Sequence, residues 1–136
     1  MNSNGVHADW SAWPLVVIDA SAVPVSRAPR LTLDVLGAAL ERGGDFAVVA
    51  RLPTAAESGR GRQSPTERLA LIREVKAIRP GLVERCRALV FVLSGEERQK
   101  HRAKLASSGK FWGCPVEVAE VLADARALAG ARLSAD

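Results

Sequence analysis

The chain has no tyrosine, one methionine, three phenylalanines and three tryptophans. So few aromatic rings leave an aliphatic core as the only option, and leucine, valine and alanine supply it. Only two cysteines are present, Cys86 and Cys114. Their spacing suggests neither a metal site nor a disulfide framework. They read as reduced thiols, which predicts a cytoplasmic protein. Only two histidines occur, and His7 lies too far from His101 in sequence to suggest a shared metal site. No apolar run approaches the ~20 residues of a membrane span, so none is expected. The first 13 residues lack a basic start and a long apolar segment, so no secretory signal is expected. No internal repeat and no convergent acid, base and nucleophile can be picked out.

What is present suits one α/β domain. The chain has 136 residues, of which 48% are hydrophobic and 25% charged, as in ordinary soluble domains. The formal charge is +4, from 19 Lys and Arg against 15 Asp and Glu. That mild excess fits solubility as well as it fits an acidic partner.

The chain is organised around Ala88-Leu89-Val90-Phe91-Val92-Leu93. An unbroken apolar run between polar signals reads as a strand covered on both faces, as in parallel sheets. Phe46-Ala47-Val48-Val49-Ala50 is a second such run and the expected neighbour. Leu15–Ile18 predicts the first strand, and Pro115–Val118 a short edge strand. The two prolines of the stretch 23–29 fit an edge strand or an extended connection. Residues 1–12 are expected to be a mobile tail, 13–130 the domain and 131–136 a C-terminal tail.

Four helices are predicted. Leu33, Leu36 and Leu40 share a face of the first, about Leu31–Glu41, which Gly43-Gly44 ends. Ser64-Pro65-Thr66-Glu67 opens the second as a capping box. It carries Leu69, Ile72, Val75 and Ile78 inward and breaks at Arg79-Pro80-Gly81. A third, from Ser94 to about Ser107, is strongly basic, with Ser108-Gly109 as its end. The fourth runs from about Ala119 to Ala129.

This alternation over Trp13–Leu128 resembles the STAS superfamily, and more narrowly the small SpoIIAA-like proteins of bacteria. The parts that carry the likeness are the opening strand after Trp13, the strand Phe46–Ala50 and the helix Thr66–Arg79. The strand Ala88–Leu93 and the closing strand and helix of Pro115–Leu128 complete it. The resemblance implies an open STAS-like sheet of four or five strands and a regulatory role in protein binding. STAS regulators carry Asp-x-Ser after the second or third strand, with a phosphorylated serine. Here Arg51 stands where the aspartate would be, and Ser58 and Ser64 are the nearest serines.

The candidate residues each have a plainer reading. Phosphate on Ser64 would sit at a helix N-terminus, yet serine before Pro-x-Glu ordinarily caps. Ser58 reads equally as a loop residue. Arg51, Arg60 and Arg62 can bind an anion beyond a strand's C-terminal end, where open α/β sheets hold ligands, or form a solvated loop. Arg98, Lys100, His101, Arg102, Lys104 and Lys110 are the densest basic cluster and read alternatively as a solvated face. Trp10, Trp13, Phe111 and Trp112 form a binding patch if exposed together, or else cover the open end of the sheet.

These features favour a non-enzymatic protein-interaction or regulatory module over an enzyme. It would use the loop 51–63 and the third helix, with no cofactor. A small-ligand or lipid-binding protein, with a pocket between sheet and third helix, is the alternative. A small enzyme holding an anionic substrate on Arg51, Arg60 and Arg62 is the third reading. The expected partner is a protein or a second copy of the chain. A small anionic or lipid ligand comes next, and nucleic acid fits poorly.

Overall fold

A computed structural model of the chain describes residues 8–20, 27–52, 65–93 and 107–134. It is an α/β domain built on one five-stranded mixed sheet. Strand β1 (Ala8–Asp9) pairs antiparallel with β2 (Leu15–Asp19). From β2 onward β3 (Phe46–Arg51), β4 (Cys86–Val92) and β5 (Val116–Ala119) are all parallel, in sequence order across the sheet. The described helices are α1 (Ala28–Arg42), α2 (Pro65–Arg85), the single turn α3 (Gly109–Trp112) and α4 (Leu122–Ser134).

Side chains alternate across a strand, so each strand feeds two cores. Val16, Ile18, Val48, Ala50, Leu89 and Phe91 meet the buried residues of α1 and α2 on one face. Ala47, Val49, Ala88, Val90 and Val92 meet Ala125 and Ala129 of α4 on the other. Strands β3 and β4 are therefore buried on both sides, as their unbroken apolar runs require. β3 lies in the middle of the sheet, with β4 beside it, between β3 and β5.

Helix α1 starts on Pro29 and stops at Gly43, whose φ of +78° suits glycine and whose N–H donates to Leu40 O at 3.2 Å. Its one buried polar side chain, Thr32, donates from Oγ1 to Ala28 O at 2.9 Å. Arg30 forks onto both Glu74 oxygens, at 2.9 and 2.6 Å, and so ties α1 to α2.

Several boundaries differ from the sequence expectation. Residues 8–9 of the expected tail form β1, and residues 131–134 continue α4. Helix α2 does not break at Pro80. Leu82 beyond the proline is fully buried, as is Val75 before it, and both anchor the helix to the core. The ring of Pro80 is exposed, so the missing N–H costs a hydrogen bond on the solvent side. The buried stripe of α2 is Leu71, Val75 and Leu82, flanked by half-buried Ile72 and Ile78, while Leu69 is 55% exposed. Gly109 begins a helical turn, with Ser108 at its N-cap position. Gly113 closes that turn in the left-handed region, donating to Gly109 O at 2.7 Å. Ala119 belongs to β5, and α4 starts three residues later. The basic helix expected over 94–107, save Ser107, and residues 23–26 of the proline stretch lie outside the described residues, while Ala28 and Pro29 at the end of that stretch are helical and open α1.

Candidate functional site

Parallel strands end together, and their shared C-terminal edge is where open α/β sheets place ligands. Here that edge is locked by ladder bonds that continue past the strands. Ala20 N–H donates to Arg51 O at 2.9 Å, Leu52 N–H to Val92 O at 3.1 Å, and Leu93 N–H to Ala119 O at 3.0 Å. Arg51 closes β3 at this lip. Its side chain is exposed, and its register partner on β2 is Asp19, also exposed. A basic and an acidic residue therefore stand side by side at the rim. The chain continues from this edge into 21–26, 53–64 and 94–106, which lie outside the described residues. Ser58, Arg60, Arg62, Ser64, Arg98, His101 and Arg102 belong to those segments, as does any pocket beneath the third helix.

Trp112 sits elsewhere. It is buried, 5% exposed, and precedes β5, so it lies toward the N-terminal end of the strands while Arg51 is at the C-terminal end. The structure does not join them into one surface. Trp112 meets Phe111 edge to face at 5.0 Å between ring centroids. Arg79 of α2 donates from Nε to Phe111 O at 2.9 Å, which pins the turn.

The four aromatics form two pairs, both packed against the core that lies under α1 and α2. Trp10 and Trp13 lead into β2, and Trp13 stacks on Phe46 of β3 at 6.0 Å. The Arg42 guanidinium lies 5.0 Å from the Trp10 ring centre and 4.8 Å from that of Trp13. Such contacts are worth about 0.5–1 kcal/mol at exposed sites. Both tryptophans are half-buried against the core, so this pair covers the sheet's end. An arginine in the last turn of a helix before Gly-Gly is a sequence cue for that contact only once the fold is known.

Charge is otherwise spent on ties between elements. Arg87 donates from Nε to Asp45 at 3.0 Å, and Arg132 from Nε to Glu117 at 3.1 Å. The Arg30 fork holds the Glu74 carboxyl below its ordinary range, while burial pushes Asp34 up despite the same arginine nearby. Asp9 is held low by the Ser11 hydroxyl and N–H.

The two cysteines are the pairing that sequence separation hides. Cys86 opens β4, and Cys114 lies two residues before β5. Both are free and buried, 3% and 6% exposed. Both belong to one core, Cys86 Sγ donates to Ala88 O at 3.5 Å, and the neighbouring Cys114 thiol, then burial, pushes Cys86 up. Among the described residues no three His, Cys, Asp or Glu side chains converge as metal ligands, and no helix is long and apolar enough to cross a membrane. No protein-family model, curated protein or solved structure matches the chain.

Proposed function

We propose that the chain is a regulatory interaction module that docks a protein partner on the C-terminal edge of its sheet. The observation that carries this reading is the lip itself. Four successive strand ends are hydrogen-bonded into a rigid step by three bonds, and Asp19 and Arg51 stand on it in register. A fixed step bearing both signs of charge orients a partner with complementary charges. The strand–helix alternation from Trp13 to Leu128 supports a STAS-like origin for the module. Arg51, standing where STAS regulators carry an aspartate, supports recognition by charge in place of their phosphoswitch.

The test is native mass spectrometry on protein isolated from its own host, wild type beside Arg51→Glu. The expected result is a protein bound to the wild type and lost from the variant, with both chains folded. A small molecule retained by both forms would replace this reading with ligand binding. A wild-type chain carrying neither would refute it.

A further inference from the structure

The β4–β5 junction contains more chemistry than packing requires. Leu89 pairs with Val116, and the ladder continues upstream through Leu89 N–H to Pro115 O at 2.8 Å. Extending this parallel register places Arg87 opposite Cys114, and the irregularity at that end of β4, where Phe46 pairs with Cys86 but Ala47 with Ala88, turns Cys86 to the same core face as Cys114. Adjacent strands run about 4.8 Å apart, within the reach that a disulfide spans between Cα atoms. Both side chains point into the same core, beside Leu89, Phe46 and Trp112. Cys114 follows Gly113, whose φ of +85° and tight seat against Arg79 and Val83 fix the direction of the chain there. Two thiols thus share one core at the adjoining ends of neighbouring strands, within the span of a disulfide.

We propose that Cys86 and Cys114 form a dithiol that a peroxide closes to an intramolecular disulfide, covalently tying the entry to β5 to the start of β4. Cys114 is the attacking sulfur. It is the more exposed of the two, while Cys86 is held in its protonated form by its neighbour and by burial. The Cys114 thiolate displaces hydroxide from hydrogen peroxide and becomes a sulfenic acid, and the hydroxide takes up the proton that the thiol released. The Cys86 sulfur then attacks that sulfenic sulfur, and its own proton leaves with the departing hydroxide as a second water. One S–S bond forms, one O–O bond breaks, and two electrons pass from the sulfur pair to the peroxide. Because both thiols are buried, closure is slow and follows local opening of the turn.

The test needs no variant at first. Wild-type protein is exposed to hydrogen peroxide, denatured, alkylated and weighed intact. The expected product is a monomer lighter by two hydrogens that takes up no alkylating agent until reduced, with one cross-linked peptide joining residues 86 and 114. Its thermal midpoint rises by several degrees over the reduced form. Two alkylatable thiols after exposure, an intermolecular dimer, or over-oxidation without a bridge would each overturn the proposal. Order of attack is read separately. In Cys86→Ser, Cys114 is trapped by a sulfenic-acid probe, whereas Cys86 in Cys114→Ser stays unlabelled at the same exposure. Equal labelling of both would overturn the assigned roles. Neither readout depends on partner binding, so failure here and failure of the docking role are distinguishable.

Discussion

Replacing Gly113 by alanine tests the geometry that holds the α3 turn against α2. Gly113 has φ +85° and ψ 14°, in the left-handed region. An L residue there costs about 1 kcal/mol, partly offset by about 0.5 kcal/mol from a stiffer unfolded chain. A Cβ at this position would meet Arg79 Cγ at 2.5 Å and Val83 Cγ2 at 3.2 Å. Relief requires Arg79 to move, and Arg79 Nε is bonded to Phe111 O. Losing that hydrogen bond costs about 1 kcal/mol, and displacing packed methylenes costs about 1 kcal/mol more. The sum is roughly 2–3 kcal/mol of destabilisation by these terms, equivalent to a fall of about 7–10 °C in thermal midpoint for a chain of this size.

Gly44 is the internal control. Its φ is +86°, but a Cβ there meets nothing within 4 Å. Gly44→Ala carries only the backbone cost, at most about 1 kcal/mol. The assay is urea unfolding of both variants, followed by a cycle with Arg79→Ala, which removes the clashing Cγ. In that background Gly113→Ala falls back to the cost of Gly44→Ala. Equal losses for Gly113→Ala and Gly44→Ala, or an unchanged loss once Arg79 is truncated, would refute the steric account.

Two other perturbations have signed outcomes. Glu74→Gln removes the acceptor of the Arg30 fork, a largely exposed pair, so the loss is about 0.5–1 kcal/mol at neutral pH. Glu74 lies below its ordinary 4.5 when folded, so its stabilisation is complete above that value and is lost as pH falls through the folded value. The wild-type advantage in urea unfolding therefore vanishes in acid; an advantage that persists at pH 3 would exclude an ionic origin. Asp34 acts with the opposite sign, because burial raises it and its ionised form costs stability as pH rises. On the other face of the sheet, Ala125→Leu forces extra methylenes between α4 and the strands where Ala125 is fully buried, with a cost of about 1–3 kcal/mol. A midpoint unchanged in chemical denaturation would show a looser helix seat than the structure describes.

The strands were legible because burial on both faces leaves a simple mark. Phe46–Ala50 and Ala88–Leu93 are unbroken apolar runs, and each forms an interior strand. Gly43-Gly44 announced the end of α1 because a positive φ there suits glycine. Helix α2 misled for an equally physical reason. Proline's local penalty was set against burial of Leu82, which only the tertiary fold reveals, and the fold prevailed. Leu69 fitted a helical stripe, but the true stripe is rotated to Leu71, Val75 and Leu82. A two-residue strand such as β1 has no periodicity to detect. The functional candidates were harder. Arg51 was read as the first residue of the loop after the strand and is instead the last residue of β3, and nothing in the sequence showed Asp19 beside it. Trp112 looked like a binding residue because its burial depends on a turn that Gly113 closes. The contact between Cys86 and Cys114 depends on the β4–β5 register, which no local pattern encodes.

The lip at Arg51 and the dithiol at Cys86 lie at opposite ends of neighbouring strands, about 20 Å apart at ~3.3 Å per residue. Strands β3 and β4 between them are close-packed on both faces and bonded in register. Such an interior resists continuous deformation, so a disulfide would not slide β4 toward the lip. Oxidation is therefore expected to slow exchange of the β3 and β4 amides together, by the common factor that the added global stability sets, with no selective change along β4. Matched exchange measurements on reduced and oxidised protein check this. A change in protection confined to β4 would mean that the bond strains the sheet instead.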